Sequence, residues 1–271
     1  MAHPQIAVFA RMADGSDSPV RKIEGQKTRL GRTMHSIIYD PIHDEISVPQ
    51  DFAHAILTFR ADASGEQPPM RILQGSDTRL NGPERHTVDP VNNEIFVPQG
   101  DEILVFDREA AGNTAPKRIH KGPDTKLGAD AVAVDPVRNL LVVVGTHETE
   151  GLKIRIYPRT AEGNTPPLRQ IGGPNSMITR MGGPFALYPP TGKIILTMRP
   201  RQAGVLGGDD SFTGVWNITD DGDVPPQWTI GGPEGALVMP RGVALDVKNK
   251  SIIVTDKRLN AILTYYFPEI F

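Results

Sequence analysis

The stretch "EAAGNTAPKRIHKG" (residues 109–122) contains a glycine and, four residues later, a proline that leads into a short segment ending in glycine. Four related stretches in the same chain carry glycine and proline at the same two positions. They are "ADGSDSPVRKIEG" (13–25), "ASGEQPPMRILQG" (63–75), "AEGNTPPLRQIGG" (161–173) and "DDGDVPPQWTIGG" (220–232). Glycine permits a bend and proline fixes φ where the next segment begins. A loop of this design that occurs five times indicates a repeat protein.

An aromatic residue stands six positions before each of these glycines. The five aromatic residues are Phe9, Phe59, Phe106, Tyr157 and Trp216. A shortened sixth copy, "ILTYYFPEIF" from Ile262, ends the sequence.

A second block follows each full copy of the loop. The five blocks are "IIYDPIHDEISVP" (37–49), "HTVDPVNNEIFVP" (86–98), "VAVDPVRNLLVVV" (132–144), "ALYPPTGKIILTM" (186–198) and "VALDVKNKSIIVT" (243–255). The complete unit is 47 to 59 residues long, and internal periods of this size are typical of solenoids, propellers and arrays.

The segments within each unit are short, rich in β-branched and aromatic residues, and bounded by Gly, Pro, Asn and Asp, which predicts strands. Four strands per unit describe one antiparallel blade of a β-propeller. We therefore predict an all-β fold, a single β-propeller domain over residues 1–271. Five repeats predict five blades, with six as the alternative, and strands from the N- and C-terminal segments are expected to close the ring.

Two of the second blocks, "VAVDPVRNLLVVV" and "VALDVKNKSIIVT", resemble the NHL-repeat type of β-propeller. The resemblance covers nearly the whole chain and implies the architecture. It implies no single function, because such propellers include protein-binding, ligand-binding, lyase and hydrolase members. The metal-binding residues of the propeller lyases and of the gluconolactonase-like propellers have no counterpart in the matching segments of this chain.

Composition excludes several classes of protein. The chain has 29 Lys and Arg against 32 Asp and Glu, so overall charge does not favour a nucleic-acid partner. Cysteine is absent, which excludes disulfides and thiolate chemistry. No apolar run is long enough for a membrane span. The N-terminal stretch has no signal-peptide pattern, so we expect a cytoplasmic protein, or an extracytoplasmic one if the chain is a processed form.

Strand order predicts where a specific site would lie. The segments that precede each first strand and follow each second strand, which we call the entrance loops, should meet at one mouth of the central channel. These loops differ between repeats, whereas the rest of the unit does not, so they are the place for a specific site. The predicted binding residues are His35, Glu84, His86, Asp130, His147, Arg199, Arg241 and Asp256.

The polar residues of the entrance loops are compatible with two functions. The first is a non-catalytic scaffold that binds a protein or peptide at the channel mouth, with no cofactor and no metal. The alternative is a metal-assisted lyase or hydrolase at the same mouth, using His35, Glu84, His86, Asp130 and His147. Whether the protein is an enzyme stays open at this point, and no catalytic residue is assigned. A spare terminal strand also allows a homo-oligomer.

Two repeated columns are predicted to be structural. Four aspartates at the ends of the first strands should cap the turns that follow, since an Asp side chain accepts hydrogen bonds from the backbone of a turn. The aromatic column should pack between neighbouring blades.

Overall fold

The computed structural model describes residues 3–200 and 211–271. Within these residues, regular structure consists of 21 β-strands, one four-residue α-helix (Gly232–Gly235) and four three-residue 3₁₀ helices. None of the helices in the described part of the chain is long and apolar enough to span a bilayer.

The chain divides into two compact units. One comprises residues up to 97 together with 105–117, and the other comprises 98–104 together with the residues from 118 onward. Each unit is described by itself. The prediction of a single domain over 1–271 stays a prediction.

The first unit contains a two-stranded sheet and a four-stranded sheet. The two-stranded sheet consists of β1 (Gln5–Val8) and β2 (Arg21–Glu24). The four-stranded sheet consists of β3 (Ile38–Asp40), β4 (Glu45–Gln50), β5 (Ala55–Arg60) and β6 (Arg71–Gln74). A further four-stranded sheet has residues in both units and consists of β7 (Thr87–Asp89), β8 (Glu94–Gln99), β9 (Glu102–Asp107) and β10 (Arg118–Lys121).

The second unit contains two four-stranded sheets and one three-stranded sheet. The first of them consists of β11 (Ala129–Asp135), β12 (Leu140–His147), β13 (Gly151–Pro158) and β14 (Arg169–Ile171). The next consists of β15 (Ala186–Tyr188), β16 (Lys193–Met198), β17 (Phe212–Asn217) and β18 (Trp228–Gly231). The three-stranded sheet consists of β19 (Pro240–Asp246), β20 (Ser251–Asp256) and β21 (Ala261–Tyr266).

The predicted fold class is confirmed as an all-β propeller built from antiparallel blades. Each second block forms the first and second strands of a sheet. Residues 3–200 and 211–271 contain five such pairs, which are β3–β4, β7–β8, β11–β12, β15–β16 and β19–β20. The count therefore agrees with five repeats. The N-terminal strands form the two-stranded sheet β1–β2, and the C-terminal strands form the three-stranded sheet β19–β20–β21.

The glycine of the repeated loop joins each blade to the one before it. Gly163 donates its N–H to the carbonyl of Ile119 at 2.8 Å, and its own carbonyl accepts from the N–H of Lys121 at 2.9 Å. Gly65, Gly112 and Gly222 make the same pair of bonds to the outer strands that precede them. These four glycines have φ between 55° and 82°, a conformation that glycine adopts at little cost. The repeated loop is thus part of the framework.

The aspartate column caps turns, as predicted. The carboxylate of Asp135 accepts from the N–H groups of Val137 and Arg138 at 2.9 and 3.0 Å. Asp40 and Asp89 make the equivalent pairs of bonds, and Asp246 accepts from Asn249. Repeated bonds to turn backbone account for these carboxylates without a catalytic role.

The aromatic column is buried in four repeats and exposed in one. Phe59, Phe106, Tyr157 and Trp216 have no measurable exposure. Phe9 is 45% exposed, so its predicted packing between blades is wrong. The reason is local. Phe9 lies just after the end of β1, in a sheet that has only two strands, whereas the other four lie within the third strand of a four-stranded sheet.

A buried ion cluster lies between two repeats of the first unit. Glu45 accepts hydrogen bonds from Arg71 at 2.5 Å and from Arg108 at 2.9 Å. Burial opposes ionisation of Glu45, but the two guanidinium groups outweigh it and lower the pKa of the carboxyl below its usual value. The cluster supports the framework, because all three side chains are largely enclosed.

Candidate functional site

A cleft of about 570 Å³ opens among the entrance loops of the second unit. It is lined by segments from three places: the turn after β8, the connection between β10 and β11, and the end of β12. The lining residues are Gly100, Asp101, Lys121, Gly122, Pro123, Thr125, Lys126, Leu127, Gly128, Thr146, His147 and Glu148. The volume lies within the range of ligand pockets, and the lining combines polar and apolar surface and includes three glycines.

Backbone hydrogen bonds fix the walls of the cleft. Gly100 and Ala129 form an isolated antiparallel bridge, with N–H to carbonyl distances of 3.2 and 2.6 Å. The bridge holds the turn after β8 beside the start of β11. The pairing of β11 with β12 then shifts register between Ala129 and Ala131, and Asp130 lies in this irregularity and is exposed. A bulge of this kind re-aims a side chain at the edge of a sheet.

The floor of the cleft depends on two glycines. A Cβ at Gly145 would overlap the carbonyl of Gly128, and a Cβ at Gly128 would overlap the carbonyl of Thr146. The two backbones therefore approach more closely than any residue with a side chain permits. This close approach positions the end of β12 against the connection that carries Lys126.

Charges of both signs line the cleft. Lys121 contacts Asp101 at 3.1 Å and Glu102 at 3.4 Å. The hydrogen bond from Lys121 to Asp101, with the nearby charge of Glu102, raises the pKa of this amine. Lys126 is half-buried and has a left-handed backbone, with φ of 54°.

The predicted residue His147 lies at the end of β12 and lines the cleft with Glu148. Its Nδ1 lies 3.2 Å from the hydroxyl of Thr149. The structure therefore places one predicted binding residue in the cleft and a second, Asp130, three residues after Leu127 of its lining.

Arg199 and Arg241 lie near a different connection of the second unit. The N–H of Arg199 bonds to the carbonyl of Arg180 at 3.0 Å, and the hydroxyl of Thr197 bonds to the carbonyl of Arg241 at 2.5 Å. The second bond brings the end of β16 beside the start of β19, and the first brings the residue after β16 beside Arg180. "RPRQAGVLGGDDS", the entrance loop that follows, includes residues 201–210, which lie outside the described residues.

Asp256 is buried, with 2% exposure. Its carboxylate accepts from four backbone N–H groups at 2.8 to 3.1 Å, those of Val238, Met239, Arg258 and Leu259. These bonds organise the two loops that contain Val238, Met239, Arg258 and Leu259. The predicted binding role of Asp256 is not tested by these contacts.

In the first unit, the structure brings together two of the predicted residues. His35 Nδ1 lies 3.4 Å from a carboxylate oxygen of Glu84, which also lies 3.5 Å from Arg85. His35 and Glu84 are both exposed, at 39% and 49%. They form a polar surface on the entrance loops of the first two repeats.

His86 lies below this surface and is 3% exposed. Its Nε2 lies 2.6 Å from the hydroxyl of Ser47, and its Nδ1 lies 3.4 Å from the hydroxyl of Ser36. Burial lowers the pKa of His86 to about 3, so the ring is neutral at physiological pH. A neutral, enclosed imidazole that contacts two hydroxyls links strands and loops of neighbouring repeats.

No group of three or more His, Asp or Glu side chains in residues 3–200 and 211–271 has an arrangement that could hold a metal ion. His35 and Glu84 are a pair rather than a ligand set. The metal-assisted lyase or hydrolase stays a prediction, for which elemental analysis of the purified protein is the direct measurement.

Sequence reasoning missed the lysines of the cleft. Lys121 ends an outer strand, and Lys126 follows the 3₁₀ helix Pro123–Thr125. Both precede Asp130, the predicted binding residue of this connection. The signal that could have found Lys126 is its alignment with Arg29 and Arg79, which follow the equivalent 3₁₀ helices of the first two repeats.

No family model and no curated protein matches this chain. Among solved structures, a similar chain belongs to the one titled "Crystal Structure of Mitotic Checkpoint Complex". The two chains superpose with a TM-score of 0.59 and are 13% identical in sequence. The match covers 92% of the chain described here and 65% of the chain in the solved structure. At this identity the likeness shows the propeller fold alone, and membership of the NHL-repeat family stays a prediction.

Proposed function

We propose that this protein is a non-catalytic, NHL-like β-propeller scaffold that binds a protein or peptide partner through its entrance loops. The observation that carries the proposal is the cleft of about 570 Å³ in the second unit, which is lined almost entirely by entrance-loop residues. An extended peptide suits such a cleft, because the polar side chains of the lining can bond to the main-chain groups of the peptide.

The distribution of hydrogen bonds supports this proposal. The glycine loops and the aspartate column make the same framework bonds in repeat after repeat. The entrance loops instead differ in length and charge between repeats. Variable loops on a constant framework are where repeat proteins carry their recognition residues.

The similar solved structure agrees with a binding role, since by its title it contains a complex. Propellers serve many functions, so this agreement supports the proposal only as an analogy of fold.

A peptide-library selection against the full chain tests the proposal. We expect enrichment of peptides whose affinity falls about tenfold in the cleft variants Lys126→Glu and His147→Ala, because each change removes a contact from the lining. The control is Lys248→Glu, an exposed residue in the turn between β19 and β20. It changes the net charge by the same amount as Lys126→Glu.

Melting temperatures of the three variants show whether the framework is intact. If the library yields no enriched peptide, the proposed binding function is wrong. If enriched peptides bind both cleft variants as tightly as the unaltered chain, the cleft is not their site.

A further inference from the structure

The entrance loops of the first two repeats form a second surface, in the first unit. It consists of residues 29–35, 50–54 and 79–86, and we call it the arginine surface. Gly31 donates its N–H to Gln50 Oε1 at 2.5 Å, and Gly82 donates its N–H to His54 Nδ1 at 2.7 Å. With the contact between His35 and Glu84, these bonds tie the three segments together.

The arginine surface has a local charge opposite to that of the whole chain. It carries four arginines and two carboxylates, a net charge of +2 with histidine neutral, whereas the chain has a net charge of −3. The arginines are Arg29, Arg32, Arg79 and Arg85, and the carboxylates are Asp51 and Glu84. Glu84 already contacts His35 and Arg85. A positive surface on an acidic protein attracts a negatively charged partner.

Two of the arginines are presented in the same way by consecutive repeats. Arg29 and Arg79 each follow a 3₁₀ helix and have left-handed backbones, with φ of 56° and 60°. Both are exposed. A left-handed conformation is uncommon for a residue with a long side chain, and the equivalent residues of the fourth and fifth repeats are Met177 and Ala236. The positive charge is therefore confined to the early repeats.

An exposed aromatic residue lies in the same surface. Phe52 is 80% exposed, in the segment that carries Asp51 and His54. Aromatic and arginine side chains are both enriched in protein interfaces. The surface therefore offers an apolar anchor next to cations.

We infer that the arginine surface binds an acidic peptide segment of a partner protein, with carboxylates on Arg29 and Arg79 and an apolar side chain on Phe52. The inference goes beyond the proposed function, because it adds a second binding surface and names the chemistry of its partner. Arginine forks bind carboxylates with two parallel hydrogen bonds, and equivalent arginines on consecutive repeats suit an extended chain with repeated acidic residues.

The test uses the full chain and three labelled probes of similar length. One is a peptide of alternating glutamate and leucine residues with a central phenylalanine. The second has glutamine in place of glutamate, and the third is a thymidine oligonucleotide. We expect the acidic peptide to bind at least about tenfold more tightly than the glutamine peptide and to weaken as salt is raised.

Two charge reversals locate the site. We expect Arg29→Glu and Arg79→Glu each to weaken binding of the acidic peptide about tenfold, and Phe52→Ala to weaken it by a smaller factor. Lys248→Glu is again the matched control, since it changes the net charge by the same amount in the second unit. All four side chains are exposed, so the melting temperatures of the four variants should equal that of the unaltered chain.

The outcomes separate this inference from the proposed function. Equal affinity for the acidic and glutamine peptides, or equal loss in Lys248→Glu, would overturn it, and the library selection on the cleft would still decide the proposed function. Tighter binding of the oligonucleotide, lost in the same arginine variants, would also overturn it and assign the surface to nucleic acid.

Discussion

The glycine loops and the entrance loops of this protein contact neighbouring repeats in different ways. A glycine loop bonds by its backbone to the outer strand of the preceding repeat, as Gly163 does to Ile119 and Lys121, and four copies repeat these bonds. The entrance loops meet their neighbours through contacts that differ from repeat to repeat. Examples are the bridge of Gly100 with Ala129 and the pair of His35 with Glu84.

The difference shows which parts of a repeat protein are constrained. A backbone bond between repeats needs only the right φ and a clear approach, so glycine and proline recur while other positions vary. The side chains of the entrance loops differ between repeats, as expected where a repeat protein carries a specific site. Changes to the framework should therefore reduce stability, and changes to the entrance loops should reduce binding.

The largest expected effect on stability is at the buried ion cluster. Glu45→Ala leaves Arg71 and Arg108 enclosed without their carboxylate, which should lower the free energy of unfolding by about 3 kcal/mol in chemical denaturation. Asp62→Ala is the control, because its pair with Arg60 is exposed on both sides. Equal effects of the two changes would show that the cluster is not part of the framework.

An acid-sensitive contribution should come from His86. Its pKa is about 3 in the folded protein against an ordinary value of 6.5, so the unfolded chain binds the extra proton first. Stability should fall as pH decreases below about 6.5, with a slope that approaches about 1.4 kcal/mol per pH unit. Denaturation of the unaltered chain and of His86→Gln between about pH 6.5 and 5 measures this, since the lowered pKa of Glu45 acts only at lower pH. Identical slopes would contradict it.

The smallest effect separates copies of the glycine loop from one another. Asn164 accepts from the N–H of Asp124 at 2.7 Å and donates to its carboxylate at 2.7 Å, so Asn164→Ala should cost about 1 kcal/mol. Ser16 occupies the same position in the first copy and is exposed. Thermal unfolding of Ser16→Ala should match that of the unaltered chain. If Ser16→Ala lowers stability as much as Asn164→Ala does, the two copies of the loop do not differ in this respect.

Much of the fold could be predicted because its determinants are local and repeated. The aspartate column, the glycine loops and four of the five aromatic residues do what their positions indicate. Phe9 does not, because burial depends on how many strands surround a side chain. The sequence pattern of the first copy is the same as that of the others.

Less of the candidate site could be predicted, because the side chains of the entrance loops differ between repeats. His147 lines the cleft. His86 and Asp256 are buried and hydrogen-bonded, and a polar residue in a loop gives no sign of which way it points. Lys126, Arg29 and Arg79 could be recognised only by aligning the residues after the outer strands.

The amino-acid sequence by itself determined the repeat, its strands and the propeller class, because turn residues and strand periodicity act over a few residues. Only the tertiary structure decided which entrance-loop side chains lie at the surface and which segments form the cleft and the arginine surface. Those properties depend on close approaches such as that of Gly128 to Gly145. Such approaches bring together distant segments of the chain and follow no periodicity in the sequence.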